Sequence, residues 1–218
     1  MCDLPKKFVL NNSENNFKES KELFIGNNCC GGNYYKLKNI KYNNPFIWMV
    51  LPYDSMYNLM LNFDKINFNN IEMKKSTIRE NTFIIVIDNQ VEIHYVHHEF
   101  RPDTKELTVR IDGSGRHLGN NHIWEYIWNK YEERIKDMLS TNMQPKFIIH
   151  DQDWGNNKHN IKDLIKLKCS YKRCFITTEN IDFDYNKNLI KIIHVNKRTE
   201  PEPMINTYFN EINDFFIS

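Results

Sequence analysis

Apolar positions fall into short runs in the first half of the chain and into alternating runs and stripes in the second. Leu23-Phe24-Ile25-Gly26 is an apolar run that stops at Asn27-Asn28-Cys29-Cys30-Gly31-Gly32, so it predicts a short buried strand entering a tight loop. A short helix is expected over Asn33 to Leu37. Asp54 or Ser55 can cap a helix that carries Met56, Leu59, Met60 and Phe63 on one face. Phe83 to Ile87 and Val91 to His97 flank Asp88-Asn89-Gln90 and predict a β-hairpin. Alternation puts Val91, Ile93, Tyr95 and His97 on one face of its second strand. Residues 100–121, with Gly113, Gly115 and Gly119, read as a loop.

The longest helix is expected from Ile123 to Leu139, with Trp124, Ile127, Trp128, Tyr131, Ile135, Met138 and Leu139 as its apolar stripe. Lys146 to His150 then predicts a strand ending at Asp151. A helix near Ile161 to Leu167 follows, then strands over Arg173 to Thr177 and Leu189 to Val195. A final amphipathic helix begins near Pro203 and turns Ile205, Tyr208, Phe209, Ile212 and Phe216 inward. Strand and helix alternate in this half, which favours a parallel arrangement with helices packed against it. The expected fold is therefore α/β: a single domain with a mixed, partly parallel sheet flanked by helices. Residues 1–20 are polar and Asn-rich and read as a flexible arm, leaving 21–218 as the domain.

Composition narrows the function classes. Lys and Arg total 29 against 28 Asp and Glu, so no basic footprint points to nucleic acid or an anionic membrane surface. No apolar run approaches the roughly 18–20 residues that span a bilayer, and the N-terminus lacks a secretory pattern. These features suggest an intracellular protein: cytoplasmic, or in the host cytoplasm if the AT-rich codon bias implied by abundant Asn, Ile and Lys is viral. The five cysteines include no C-x-x-C, which argues against a disulfide framework or zinc ribbon.

Ligands of open α/β sheets bind beyond the carboxyl ends of the strands, where several reactive residues are expected. Cys29 follows the first strand, at the start of a short helix whose dipole would lower its thiol pKa. It is the candidate nucleophile. The backbone amides of Cys30, Gly31 and Gly32 would supply an oxyanion hole. His97 is the candidate general base and Asp151 the residue that would orient it. Asn28, Gly31, Gly32, His98, Arg134 and Thr177 are candidate substrate contacts. The same residues also fit plainer readings: a buried cysteine pair beside a turn, a core-edge histidine and a polar helix-capping loop. His150, Asp151 and Asp153 could alternatively ligate a cation.

Phe24 to Tyr35, followed by Tyr42 to Ile47, resembles a family of exopolysaccharide-biosynthesis proteins. That family opens with Asn-Asn-Cys, an aromatic, Gly-Gly and then a Tyr-x-Ser-Pro segment. Ile93 to His98, Trp128 to Ile135, Phe147 to Ile149 and Arg173 to Thr177 extend the likeness over about residues 22–180. The pattern is also similar to a papain-like cysteine peptidase family with Gly-x-x-Cys, Pro-Phe-Asp-Trp and His-Asp-Phe segments. Here those segments read Gly26-Asn27-Asn28-Cys29, Pro45-Phe46-Ile47-Trp48 and His97-His98-Glu99-Phe100. The resemblance implies a Cys29–His97 pair. Ile47 departs from it by replacing an acid, and Cys30 departs by replacing an aromatic.

Three functions are compatible with these residues. The first is a cysteine-nucleophile hydrolase or acyltransferase acting on a small molecule or glycan, with no cofactor and no metal. The second is a sugar-nucleotide-dependent transferase using a divalent cation near Asp151. The third is a non-catalytic glycan-binding or assembly protein. The oligomeric state is open.

Overall fold

The computed structural model describes residues 22–47, 49–75, 83–95, 98–101, 106–111, 114–117, 120–140, 143–151, 157–198 and 200–218. The arm over 1–20, His97 and Asp153 lie outside the described residues. The fold is α/β, as expected, and the strands among the described residues divide among three sheets.

The central sheet is all parallel. Its strands are β1 (Leu23–Gly26), β8 (Pro145–His150), β9 (Arg173–Thr177) and β10 (Ile190–His194), in the spatial order β1-β8-β9-β10. A parallel sheet is buried on both faces, so its strands are apolar throughout rather than alternating. Leu23, Ile25, Phe147, Ile149 and Phe175 enter one core, and Phe24, Ile148, Cys174, Ile176 and Ile193 enter the other.

Helices α1 (Cys30–Lys38) and α5 (Pro201–Ile217) cover the second face through Tyr34, Tyr35, Met204, Ile205, Ile212 and Phe216. Helices α2 (Tyr53–Asn62) and α4 (Ile161–Lys166) build the first core with Met56, Leu59, Met60, Ile161, Leu164 and Ile165. Each fully buried aliphatic of this kind contributes about 1.5–3 kcal/mol. Arg173 is buried at the foot of β9. Its Nη1 donates to the carbonyls of Leu164 and Leu167 at 2.8 and 3.0 Å, which satisfies the open carboxyl end of α4.

The expected hairpin is present as β3 (Phe83–Ile87) and β4 (Val91–Tyr95). In the three-residue connection Asp88-Asn89-Gln90, Asp88 and Asn89 both have positive φ, 51° and 55°, which Asp and Asn tolerate better than most residues. A third strand, β2 (Ile71–Lys75), pairs with β3. This antiparallel sheet is tied to the parallel one through the chain before α2. Val50 pairs with His94 of β4, and the Leu51 N–H donates to the Asn27 carbonyl at 2.9 Å.

Residues 98–117 depart from the expected loop. β5 (His98–Arg101), β6 (Glu106–Ile111) and β7 (Ser114–His117) form an antiparallel sheet. The alternation Leu107, Val109, Ile111 against Thr108 and Arg110 is a strand pattern that outweighs the glycines after it. Helix α3 (Asn120–Ser140) follows. It buries Tyr131, Ile135 and Met138 as expected, but Leu139 is 49% exposed.

Among the described residues, no helix is long and apolar enough to cross a membrane.

Candidate functional site

The parallel topology sets Cys29, Asp151, Thr177 and His194 at the carboxyl ends of four adjacent strands, on one edge of the sheet. The loop after β1 is fixed to β8 by side-chain amides. Asn27 Nδ2 donates to the His150 carbonyl at 2.8 Å, and the His150 N–H donates back to Asn27 Oδ1 at 2.9 Å. Asn28 Oδ1 accepts from the Cys30 N–H at 2.9 Å, which orients the amide so that its Nδ2 faces His150 Nδ1 at 3.1 Å. That nitrogen of His150 therefore accepts, and the neutral ring carries its proton on Nε2.

Helix α1 starts one residue after Cys29, three residues earlier than the glycines suggested. Gly31 and Gly32 are buried in its first turn, not spread in a substrate loop. Glycine is needed here because the helix lies directly on the strand. A Cβ on Gly26 would sit 2.5 Å from the Gly31 nitrogen and 2.8 Å from Cys30 Sγ. The Cys30 amide is held by Asn28, and the Gly31 amide is pressed against Gly26. The Cys30 and Gly31 amides are therefore engaged within the fold and do not serve the expected oxyanion hole, and Asn28 is a 2%-exposed structural brace.

The thiols of this segment differ sharply. Cys30 is sealed, with Sγ donating to the Ile148 carbonyl at 3.2 Å, and burial pushes it up to about 12. Cys29 is half-buried. Burial also raises the Cys29 thiol, and the Glu200 carboxylate adds to this, outweighing a backbone hydrogen bond that acts the other way. The expected lowering at a helix start is thus reversed: the resting group is the thiol.

Asp151 is a densely hydrogen-bonded anion of the edge. Its Oδ2 accepts from Thr177 Oγ1 at 3.0 Å, Thr178 Oγ1 at 2.9 Å and the Thr178 N–H at 3.2 Å. Its Oδ1 accepts from Arg198 Nη2 at 3.1 Å and from the Tyr53 hydroxyl at 3.5 Å. Burial works to raise this carboxyl. The bonds from Thr178 and Thr177 and the Arg198 charge prevail and hold it below the usual carboxylate range. Thr177, expected to touch substrate, is fully buried and positions Asp151 instead.

The remaining expected residues lie elsewhere. Arg134 stacks its guanidinium 5.8 Å from the centre of the Tyr42 ring, and Tyr42 packs edge-on against Tyr35. Tyr35 bonds the Phe24 N–H, so Arg134 sits towards the amino end of β1, away from Cys29. The long side chain lies over an aromatic ring beside the buried stripe of α3. His98, expected just past the end of the second hairpin strand, instead opens β5 opposite Val109.

One pair on this edge was not singled out from the sequence. Asp54, in the first turn of α2, meets the loop between β8 and α4. It accepts from the backbone N–H groups of Lys158 (3.1 Å) and His159 (3.0 Å), and its Oδ1 lies 2.8 Å from His159 Nδ1. The imidazole stacks on Tyr57, with ring centres 3.8 Å apart and planes 13° apart. Burial opposes the Asp54 charge, but the backbone bond from Lys158, the ring and backbone bonds from His159 and the charge of that ring hold the carboxyl below the usual range.

Among the described residues, no three His, Cys, Asp or Glu side chains are grouped to hold a metal ion. Compared with known proteins, the chain matches no family model, and no curated protein sequence matches it significantly.

Proposed function

We propose that the protein is a thiol-dependent hydrolase or acyltransferase whose nucleophile is Cys29. The observation that carries this reading is the contrast between two neighbouring thiols. Cys30 is locked in the core, while Cys29 is half-buried at the carboxyl edge where α/β sheets bind ligands. That edge also carries the fixed charges Asp151 and Arg198.

In this reaction the Cys29 thiol loses its proton to a base as sulfur attacks a carbonyl carbon. The C–S bond forms and the bond to the leaving group breaks, with the proton passing to the leaving group. Water or an acceptor hydroxyl then displaces the thiol and returns a proton to it. Because the resting group is protonated, the base must act during attack. His97 is the base the family likeness implies.

A glycan-linked acyl group is the substrate class suggested by the likeness of residues 24–35 and 42–47 to exopolysaccharide-biosynthesis proteins. A sugar-nucleotide transferase with a cation on Asp151 fits less well, because five donors already occupy the two oxygens of that carboxylate. The test is turnover of activated acyl esters by the wild type and by Cys29→Ala. Loss of turnover in the variant supports the proposal, and full retention rejects it.

A further inference from the structure

We propose that β10 is a dimerisation edge: a second copy of this chain pairs its own β10 antiparallel to the first, about a two-fold axis at Ile192. This interface is independent of the thiol chemistry, because Cys29 follows β1, at the opposite edge of the parallel sheet.

The two outer strands of that sheet are finished differently. On β1 the outward backbone groups are closed by side chains. The Phe24 N–H donates to Tyr35 Oη at 3.1 Å, and the Phe24 carbonyl accepts from Asn44 Nδ2 at 3.2 Å. β10 has no such cover. The Leu189 carbonyl accepts from the Arg173 N–H, and the Val195 N–H donates to the Thr177 carbonyl. Leu189, Lys191, Ile193 and Val195 therefore turn their backbone groups towards β9. Ile190, Ile192 and His194 turn theirs outward. The Ile190 N–H is taken by the Asn186 carbonyl at 2.8 Å. Among the described residues, nothing bonds the Ile190 carbonyl, either backbone group of Ile192 or the His194 N–H. An open apolar edge of this kind is a template for another strand. A cavity of about 650 Å³ lies beside it, lined in part by Tyr185, Ile190, Ile192 and Phe215, so there is room for one.

A second copy fits because the open groups complement themselves. With Ile192 on an axis normal to the sheet, its N–H donates to the carbonyl of Ile192 in the second copy, and symmetry makes the reverse bond. On either side, the His194 N–H of one copy meets the Ile190 carbonyl of the other. The Ile190 N–H, already bonded to Asn186, is not called upon. The side chains agree with this register. The half-buried Ile192 meets its own counterpart, and Lys191 stands opposite Ile193 rather than another lysine. Lys191 is also paired with Glu211 at 2.6 Å. Lys187 and Lys191 balance Glu211 and Asp214 in the cavity lining, so no net charge keeps the copies apart. The pairing joins two four-stranded sheets into one.

The test is sedimentation velocity and NMR amide exchange of the full chain over a dilution series, for the wild type, I192P, I192K and I192E. The wild type should pass from monomer to dimer as concentration rises, with the Ile192 and His194 amides exchanging slowly only in the dimer. I192P removes an N–H that the fold does not use. It should weaken dimerisation about tenfold or more, since one bond is lost from each copy. I192K and I192E should each stay monomeric, because like charges meet at the axis, and an equimolar mixture of the two should restore the dimer. That rescue also shows that both variants fold. A wild type that is monomeric at every concentration overturns the inference. Protected β10 amides would then mean that another segment of this chain covers the strand, and unprotected ones that the edge faces solvent. A dimer equally strong in I192P and I192K, or a mixture that stays monomeric, overturns it as well.

Discussion

The side chain of Asn27 reproduces a strand: it hydrogen-bonds both the carbonyl and the N–H of His150, at 2.8 and 2.9 Å. It adds a rung to the β1–β8 ladder just where the β1 backbone turns away. The turn that presents Cys29 is held by this amide and by Asn28.

Asn27→Ala therefore leaves two buried main-chain groups unpaired. Each costs about 1–3 kcal/mol, so the denaturant midpoint should fall clearly with an unchanged slope. Alkylation of Cys29 should also become faster as its loop loosens. A midpoint equal to that of the wild type would contradict this role.

The contact between β1 and α1 separates two glycine substitutions. Gly26→Ala places a methyl 2.5 Å from the Gly31 nitrogen, and neither backbone can move aside cheaply. Gly31→Ala places one 3.0 Å from the Gly26 nitrogen, a milder conflict partly offset by better helix propensity. Overpacking typically costs about 1–3 kcal/mol. Thermal melts should show Gly26→Ala at or beyond that range and Gly31→Ala clearly less destabilised.

Asp151 gives a pH-dependent stability. Its carboxyl is held below the unfolded value of about 3.9, so its contribution is complete above that pH and disappears as pH falls through the folded value. Asp151→Asn removes the charge while Thr177, Thr178 and Arg198 stay in place. The stability gap between wild type and variant should be largest near neutrality and shrink below pH of about 4. A gap that is constant with pH would refute the charged network.

Much of this architecture was legible because burial on both faces writes the parallel strands as unbroken apolar runs, as in Phe147-Ile148-Ile149 and Cys174-Phe175-Ile176. The same topology made the gathering of Cys29, Asp151 and Thr177 on one edge foreseeable. Other features were hidden. β2 carries Ile71 and Met73 among charged residues, and β6 is followed by Gly113 and Gly115, which mimic a loop. Gly31 and Gly32 also looked like loop residues, because local preference favours turns, while close packing on Gly26 draws them into a helix. Asp54 and His159 are 105 residues apart in sequence, and only the docking of α2 against the loop before α4 joins them.

The most direct test is to map, by mass spectrometry of the native protein, where a chromogenic acyl ester or iodoacetamide becomes attached across a range of pH. The account predicts an adduct on Cys29 that forms faster as pH rises, with Cys30 and Cys174 unmodified until the protein is unfolded. Cys29 unmodified in the native protein while ester turnover continues would contradict it.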